Sequence, residues 1–117
     1  MTENKIANHP HELADLFVQL ANAGDVDALV ALYEPTAVLA FPPGSVATGH
    51  AEIRKVYEGF VAHAPVLVPG RQHPTLVSED VALTATTLTT GEIAVEIARR
   101  QPDGTWRYAV DQPVLLP

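Results

Sequence analysis

Residues 93–111 read IAVEIARRQPDGTWRYAVD and predict a β-hairpin whose turn is the Asp-Gly pair at 103–104. Asp-Gly suits a two-residue type I′ turn, because both central residues of that turn need positive φ. A two-residue loop fixes the register and places Glu96 directly opposite Asp111 on one face of the sheet. If that face is buried, the two carboxyl groups cannot both ionise cheaply, and one pKa should rise. A three-residue loop or a bulge would separate the pair.

The composition restricts the class of protein. The chain has 117 residues, of which 47% are hydrophobic and 18% charged, so we expect one globular domain with a core of its own. Its net charge of −7 argues against a nucleic-acid partner, since binding to phosphates needs positive charge. With no long apolar run and no signal-like N-terminus, we expect no membrane span and a cytoplasmic protein. The absence of cysteine excludes disulfides and thiolate chemistry.

Apolar residues recur at helical spacing in three segments of the first half of the chain. The first predicted helix begins near Pro10 and ends at Gly24, and the second follows Asp25 and is ended by Pro35. The third begins after Gly49. We expect a flexible tail over residues 1–9 and a single domain over residues 10–117.

Strand patterns dominate the rest of the chain. Short strands are predicted over residues 36–41 and 46–48, and residues 66–77 form an irregular or edge strand because they contain two prolines. Residues 81–89 are rich in β-branched side chains and predict a further strand, which leads into the hairpin. Helices followed by strands indicate an α+β fold, with three N-terminal helices packed in a curved antiparallel sheet. Such a cone leaves a cavity where the side chains at its mouth are small.

Four segments in this order resemble the nuclear transport factor 2-like superfamily, and in particular its SnoaL-like and ketosteroid isomerase-like members. They are NAGDVDALVALYEPTAVL at 22–39, PPG at 42–44, TGHAEIRKVYEGF at 48–60 and ARRQPDGTWRYAVDQP at 98–113. The resemblance covers residues 12–113. It implies a cone-shaped α+β barrel, a small-molecule pocket inside the cone and, commonly, a homodimer. The SnoaL-like subgroup that the last segment resembles is mostly of unknown function.

The resemblance does not carry the isomerase mechanism over to this chain. The isomerase's general-base Asp falls on Phe41, its oxyanion-binding Tyr falls on Phe17, and its second oxyanion donor, a protonated Asp, falls on Glu96. A phenylalanine can neither accept nor donate a proton. An acid therefore remains at one family position, with Asp111 opposite it.

Glu96 and Asp111 are the candidate catalytic residues, as a buried pair that shares a proton and acts as general acid or base. The alternatives are that the two acids stabilise the fold or that both face water. Histidines are more often surface or satisfied core residues than ligands, and no spacing among the five suggests a metal site. The residues that we expect to contact a substrate are Phe17, Phe41, Tyr57, His73, Ala98 and Ala109.

The opposite face of the hairpin is also apolar. In the predicted register it carries Trp106, Tyr108, Val110 and Ile97. A sheet that already packs on helices needs a cover for a second apolar face, so we expect a homodimer through the sheet. If this face were instead the interior, the acids would point outward, and both the catalytic and the dimer hypotheses would fail.

These patterns favour a protein that binds a small molecule in the cone, without a cofactor. The possible chemistry is acid–base work of the isomerase, cyclase or dehydratase type on a small apolar or polyketide-like substrate. The alternative is a non-catalytic ligand-binding or dimerisation module. An oxidoreductase would need a cofactor, and the chain has no dinucleotide fingerprint. An enzyme needs a perturbed titratable group in an open cavity, whereas a module can have a filled one.

Overall fold

The computed structural model describes residues 5–63 and 66–115. Three helices precede most of the strands, in the order that the sequence predicts. The elements are α1 Glu12–Ala23, α2 Val26–Ala31, β1 Tyr33–Leu39, β2 Ala47–Thr48, α3 Gly49–His63, β3 Arg71–Gln72, β4 Leu76–Ser78, β5 Val81–Thr87, β6 Ile93–Arg100 and β7 Trp106–Leu115.

The first two helices are joined by a tight connection at Gly24 and Asp25. Gly24 has φ +68° and ends α1 in the left-handed conformation. The Asp25 side chain then accepts a hydrogen bond from the backbone N–H of Ala28, 3.1 Å away, and so caps α2. Within residues 5–63 and 66–115, no helix is both long and apolar enough to cross a membrane.

The second helix is shorter than predicted. It ends at Ala31, and Tyr33 and Pro35 already belong to β1, although the sequence pattern continues the helix to Pro35. The apolar spacing from Leu29 to Tyr33 fits a helix, but Tyr33 pairs with Tyr108 of β7 instead. Tertiary pairing here overrides a local pattern, as it often does in short segments.

The strands form one curved sheet against which the helices pack, so the α+β fold class is confirmed. Their order is β2-β1-β7-β6-β5-β3, and β4 pairs with the first three residues of β5. Every pairing is antiparallel except that of β1 with β7, which is parallel. Helix α3 contacts β1 and β2, and α1 contacts β7, which encloses a space between the helices and the concave face.

The turn of the hairpin has three residues, not the two that the Asp-Gly pair predicts. The N–H of Gly104 donates to Gln101 O at 2.9 Å, and the N–H of Gln101 donates to Thr105 O at 2.7 Å. Only Gly104 of this loop has positive φ, at +85°, so Asp103 does not adopt the type I′ conformation. Pro102 stands in the first central position, where its fixed φ favours an ordinary turn followed by a left-handed glycine.

A bulge restores the predicted pairing of the acids. Next to the turn, Ala98 pairs with Tyr108, so the predicted pairing of Ala98 with Ala109 is wrong. The register then shifts by one residue, with Ala109 as the extra residue of β7, and beyond it Glu96 pairs with Asp111. The offset from the longer loop and the offset from the bulge cancel. Glu96 and Asp111 are therefore opposite each other, as predicted.

The same register reverses the predicted orientation of two aromatic side chains. Trp106 and Tyr108 are buried on the inner face, whereas the sequence places them outside. Ile97 and Val110 do face outward, and their side chains are 39% and 43% exposed. The outer apolar face thus exists, but it is aliphatic.

The described part of the predicted tail, residues 5–9, is attached to the domain. Ala7 is buried, and its carbonyl accepts a 2.9 Å hydrogen bond from the N–H of Trp106. Lys5 forms a salt bridge with Asp25, with Nζ and Oδ2 2.8 Å apart. Residues 5–9 of the predicted tail thus contact the domain, whereas residues 1–4 lie outside the described residues.

Candidate active site

A cavity of about 280 Å³ lies between the helices and the concave face of the sheet. Aromatic side chains line much of it: Phe17 from α1, Phe41 after β1, and Tyr57 and Phe60 from α3. The rings of Phe17 and Tyr57 pack edge to face with centroids 5.7 Å apart, and those of Phe41 and Phe60 do so at 5.9 Å. The three aromatic residues predicted to contact a substrate, Phe17, Phe41 and Tyr57, all line this cavity.

Glu96 and Asp111 also line the cavity, on neighbouring strands β6 and β7. Glu96 is only 7% exposed and Asp111 only 5%, so both carboxyl groups are largely removed from water. The hydroxyl of Thr84, on β5 opposite Glu96, donates a 2.6 Å hydrogen bond to Glu96 Oε1. The alternative in which both acids face water is therefore wrong.

Asp111 is held at one oxygen and unpartnered at the other. The Tyr33 hydroxyl donates to Asp111 Oδ2 and is itself hydrogen-bonded to the Tyr57 hydroxyl. Because the single proton of Tyr33 is directed to Asp111, Tyr57 acts as the donor to Tyr33. Asp111 Oδ1 is buried and has no hydrogen-bond partner among the described residues. A buried oxygen without a hydrogen-bond partner costs free energy that nothing else among the described residues offsets.

Burial raises the pKa of both acids to the neutral range. The pKa of Glu96 rises to about 8, because burial and then the charge of Asp111 disfavour ionisation, while the Thr84 hydrogen bond opposes the shift. Burial raises the pKa of Asp111 to about 7 against the effect of the Tyr33 hydrogen bond. Near neutral pH the pair therefore retains at least one proton. Burial also raises the pKa of Tyr33 and Tyr57, which remain hydroxyl donors.

This arrangement can both donate and accept a proton inside one apolar cavity. The two carboxyl groups titrate as a coupled pair: burial raises the pKa of each, and the charge of Asp111 further disfavours ionisation of Glu96. Tyr108 also lines the cavity and is buried. Two carboxyl groups and a phenol thus face the space that a ligand would occupy.

Three of the residues predicted to contact a substrate lie elsewhere. His73 is not part of the lining, and its Nε2 is 2.7 Å from the Thr87 hydroxyl. Ala98 is fully buried in the hydrophobic core, and Ala109 forms the bulge of β7. The small side chain of β6 that does line the cavity is Ala94.

Sequence reasoning missed Tyr33 and Tyr108 as residues of the site. Tyr33 was assigned to a helix, although the β-branched and aromatic content of residues 33–39 is a strand signal that could have placed it in β1. Tyr108 was placed on the outer face because the loop length and the bulge are not visible in the sequence. Thr84 follows from the alternation of β5 once its pairing with β6 is known. Across the residues that the structure describes, no three His, Asp or Glu side chains form a metal-binding group.

Comparison with known proteins places the chain among small α+β domains of this shape. The family model of the SnoaL-like domain matches residues 14–112. A candidate calcium/calmodulin-dependent protein kinase II association domain from Xanthomonas campestris is 22% identical with a TM-score of 0.72, over 100% of this chain and 98% of that one. A candidate dehydratase of the NTF2-like family from Streptomyces avermitilis is also 22% identical, with a TM-score of 0.72 over 91% and 95% of the two chains.

A ketosteroid isomerase-like protein from Erwinia carotovora atroseptica is 21% identical with a TM-score of 0.67, over 88% of this chain and 95% of that one. At these identities the likeness concerns the fold alone. Among curated proteins, none matches the chain significantly. The chemistry of the site has to be argued from its own residues.

Proposed function

Because the chain belongs to the SnoaL-like domain family, we propose that its cavity binds a small, mostly apolar molecule and performs cofactor-independent acid–base chemistry on it. The reaction is of the isomerase, cyclase or dehydratase type. The observation that supports this proposal is the open cavity of about 280 Å³ in which Glu96 and Asp111 lie side by side. A pKa near neutral pH is what a general acid or base needs to work in both directions.

Asp111 is the general base in this proposal. Its Oδ2 accepts a hydrogen bond from the Tyr33 hydroxyl, whereas its Oδ1 has no hydrogen-bond partner among the described residues, so Oδ1 is the oxygen to which we assign proton removal. Oδ1 removes a proton from a carbon next to a substrate carbonyl group. The C–H bonding electrons become the double bond of an enol, and Asp111 becomes neutral.

Glu96 is the general acid. Near neutral pH the coupled pair retains one proton, and in this proposal Glu96 holds that proton and donates it to the carbonyl oxygen as the enol forms. The negative charge passes from Asp111 to Glu96, so the pair carries one charge before and after the step. Return of the proton to a different carbon gives an isomer. Loss of a β-hydroxyl group gives a dehydrated product: the enol returns its O–H proton to Glu96, and Asp111 donates the proton that it removed to the departing hydroxyl, which leaves as water.

An exchange reaction tests this chemistry without knowledge of the natural substrate. Acetophenone is a small apolar ketone, and its methyl protons exchange with D₂O through the enol. We expect the protein to accelerate this exchange near neutral pH, and Asp111→Asn and Glu96→Gln each to reduce the acceleration by at least about a hundredfold. Proton NMR of the ketone methyl signal measures the rate.

The control is Glu58→Gln, which removes a carboxylate from an exposed position of α3 outside the cavity lining. This variant should exchange acetophenone at the wild-type rate. Acceleration that survives in Asp111→Asn would contradict the proposed role of the acid pair. Binding of acetophenone to the cavity with no acceleration at all would instead identify a non-catalytic ligand-binding module.

A further inference from the structure

The described residues that line the cavity include three carboxyl groups and no basic side chain. The acids are Glu96 and Asp111 on the sheet and Asp15 on α1, and no Lys, Arg or His lies with them in the lining. Asp111 also contributes a buried oxygen, Oδ1, that has no hydrogen-bond partner among the described residues. The charge of the cavity is therefore zero or negative at any pH at which its acids titrate.

Asp15 occupies the outer part of this space. It is exposed, in contrast to the two buried acids, and its Oδ1 is 3.5 Å from Nε2 of Gln72, which approaches from β3. The pKa of Tyr108 is raised mainly by burial and then by the charges of groups deeper in the cavity, and the charge of Asp15 makes a smaller contribution in the same direction. The field of Asp15 thus reaches the cavity interior from its mouth.

The basic residues with known partners neutralise acids elsewhere. Arg54 pairs with Asp27, Arg99 with Glu34 and Arg100 with Asp80, at positions outside the cavity lining. Arg71 precedes Gln72 in β3, and neighbouring side chains of a strand point to opposite faces. Since Gln72 lines the cavity, Arg71 is directed away from it, and the charge of Asp15 is not offset from that side.

We propose that the substrates are uncharged or amine-bearing carbonyl compounds, and that Asp15 is the specificity residue that excludes carboxylates and phosphates at the mouth. That the substrates are carbonyl compounds rests on the proposed function, whereas the selection by charge depends only on the residues that line the cavity. An anionic group at the mouth would face Asp15 at short range without a counter-charge. A repulsion of that kind between two like charges near a protein surface corresponds to about a tenfold loss of affinity.

Three ketones of matched shape test the charge selection. Acetophenone is neutral, 4-acetylbenzoate carries a carboxylate, and 4-acetylbenzylammonium carries an amine. Chemical-shift titration of the protein amides gives a Kd for each. We expect 4-acetylbenzoate to bind at least about tenfold more weakly than acetophenone, and 4-acetylbenzylammonium to bind at least as tightly. The difference should shrink in about 0.5 M salt, which screens the charge at the exposed mouth.

The variant Asp15→Asn should reduce the preference for acetophenone over 4-acetylbenzoate to about twofold or less. Glu58→Gln is the matched control, because it changes the net charge by the same amount outside the lining, and it should keep the wild-type preference. Equal binding of the anion and the neutral ketone to the wild type would overturn the inference. So would an unchanged preference in Asp15→Asn, or a failure of acetophenone to bind.

These outcomes are separable from the proposed function. Deuterium exchange reports the acid pair, and the ratio of Kd values reports Asp15. A protein that selects by charge but does not accelerate exchange would support the charge selection of the ligand and refute the proposed enzymatic activity. A protein that accelerates exchange but binds 4-acetylbenzoate as tightly as acetophenone would support the proposed enzymatic activity and refute the charge selection by Asp15.

Discussion

Asp111 shows how one hydroxyl sets the state of a buried acid. Burial alone pushes its pKa upward, and the hydrogen bond from Tyr33 opposes that shift. The Tyr33 hydroxyl is in turn fixed by Tyr57. Tyr33 therefore acts as a positioning residue: it turns one oxygen of Asp111 into the protein and leaves the other for a ligand.

The variant Tyr33→Phe tests this positioning role. We expect the pKa of Asp111 to rise further, because its carboxylate loses its donor, and the free energy of unfolding to fall by about 1–3 kcal/mol. Carboxyl-carbon NMR titration measures the pKa. Tyr57→Phe is the control, since it keeps the bond between Tyr33 and Asp111 and should shift that pKa much less. Equal shifts in both variants would contradict the role of Tyr33.

The raised pKa values of Glu96 and Asp111 also predict how stability changes with pH. The folded state binds these protons more tightly than the unfolded state does, so their contribution is complete below about pH 4 and is lost as the pH rises through 7 and 8. We expect the free energy of unfolding to fall by at least about 2 kcal/mol between about pH 5 and pH 8.5. Urea denaturation measures it. Glu96→Gln should flatten this decline, and a stability that increases over the same range would refute the buried pair.

At the scale of elements, the hairpin shows what sequence reasoning can and cannot reach. Alternation and the Asp-Gly signal correctly indicated two antiparallel strands with Glu96 opposite Asp111. The local pairs were wrong, because the preference of Pro102 for the first central position of a turn prevailed over the Asp-Gly preference, and no residue type marks the bulge at Ala109. The pairing of Glu96 with Asp111 was predicted correctly, because the one-residue shift from the longer loop and the one-residue shift from the bulge cancel beyond Ala109. Tyr108 lies between the loop and the bulge, where only the first shift applies, so its predicted orientation was wrong.

The three-residue turn predicts the effect of a single methyl group. Gly104 has φ +85°, so Gly104→Ala should lower the free energy of unfolding by about 1–2 kcal/mol. Gly59 lies inside α3, and a Cβ there would meet no atom within 4 Å, so Gly59→Ala should instead raise the free energy by about 0.5–1 kcal/mol. Urea denaturation of the two variants compares them directly. A neutral Gly104→Ala would contradict the left-handed turn.

At the scale of the whole molecule, the outer face of the sheet is apolar across its three central strands. Leu83, Ile97 and Val110 lie in one row across β5, β6 and β7, and all three are exposed. A continuous aliphatic row on the side of a sheet opposite its helices is typical of a surface that a second protein layer covers. A second copy, related by a twofold axis, is the simplest such layer.

We therefore expect the protein to sediment as a dimer at micromolar concentration. Ile97→Lys places a charge in the middle of the row and should shift the protein to the monomer with its circular dichroism unchanged. Lys55→Glu, on α3, is the charge-change control and should remain dimeric. A wild-type protein that sediments as a monomer would contradict the dimer, and it would leave the cavity chemistry intact because the acids lie on the other face.

The three-residue loop and the extra residue Ala109 have a consequence for how chains of this fold can change in length. Ala109 has no partner in β6, so its loss alone would join the pairs on either side of it, Ala98 with Tyr108 and Ile97 with Val110, into one regular ladder and would leave Glu96 opposite Asp111. A shorter loop between the paired Gln101 and Thr105 would also leave the ladder beyond it unchanged. Relatives that retain both acids are therefore expected to vary in length at these two places independently of each other.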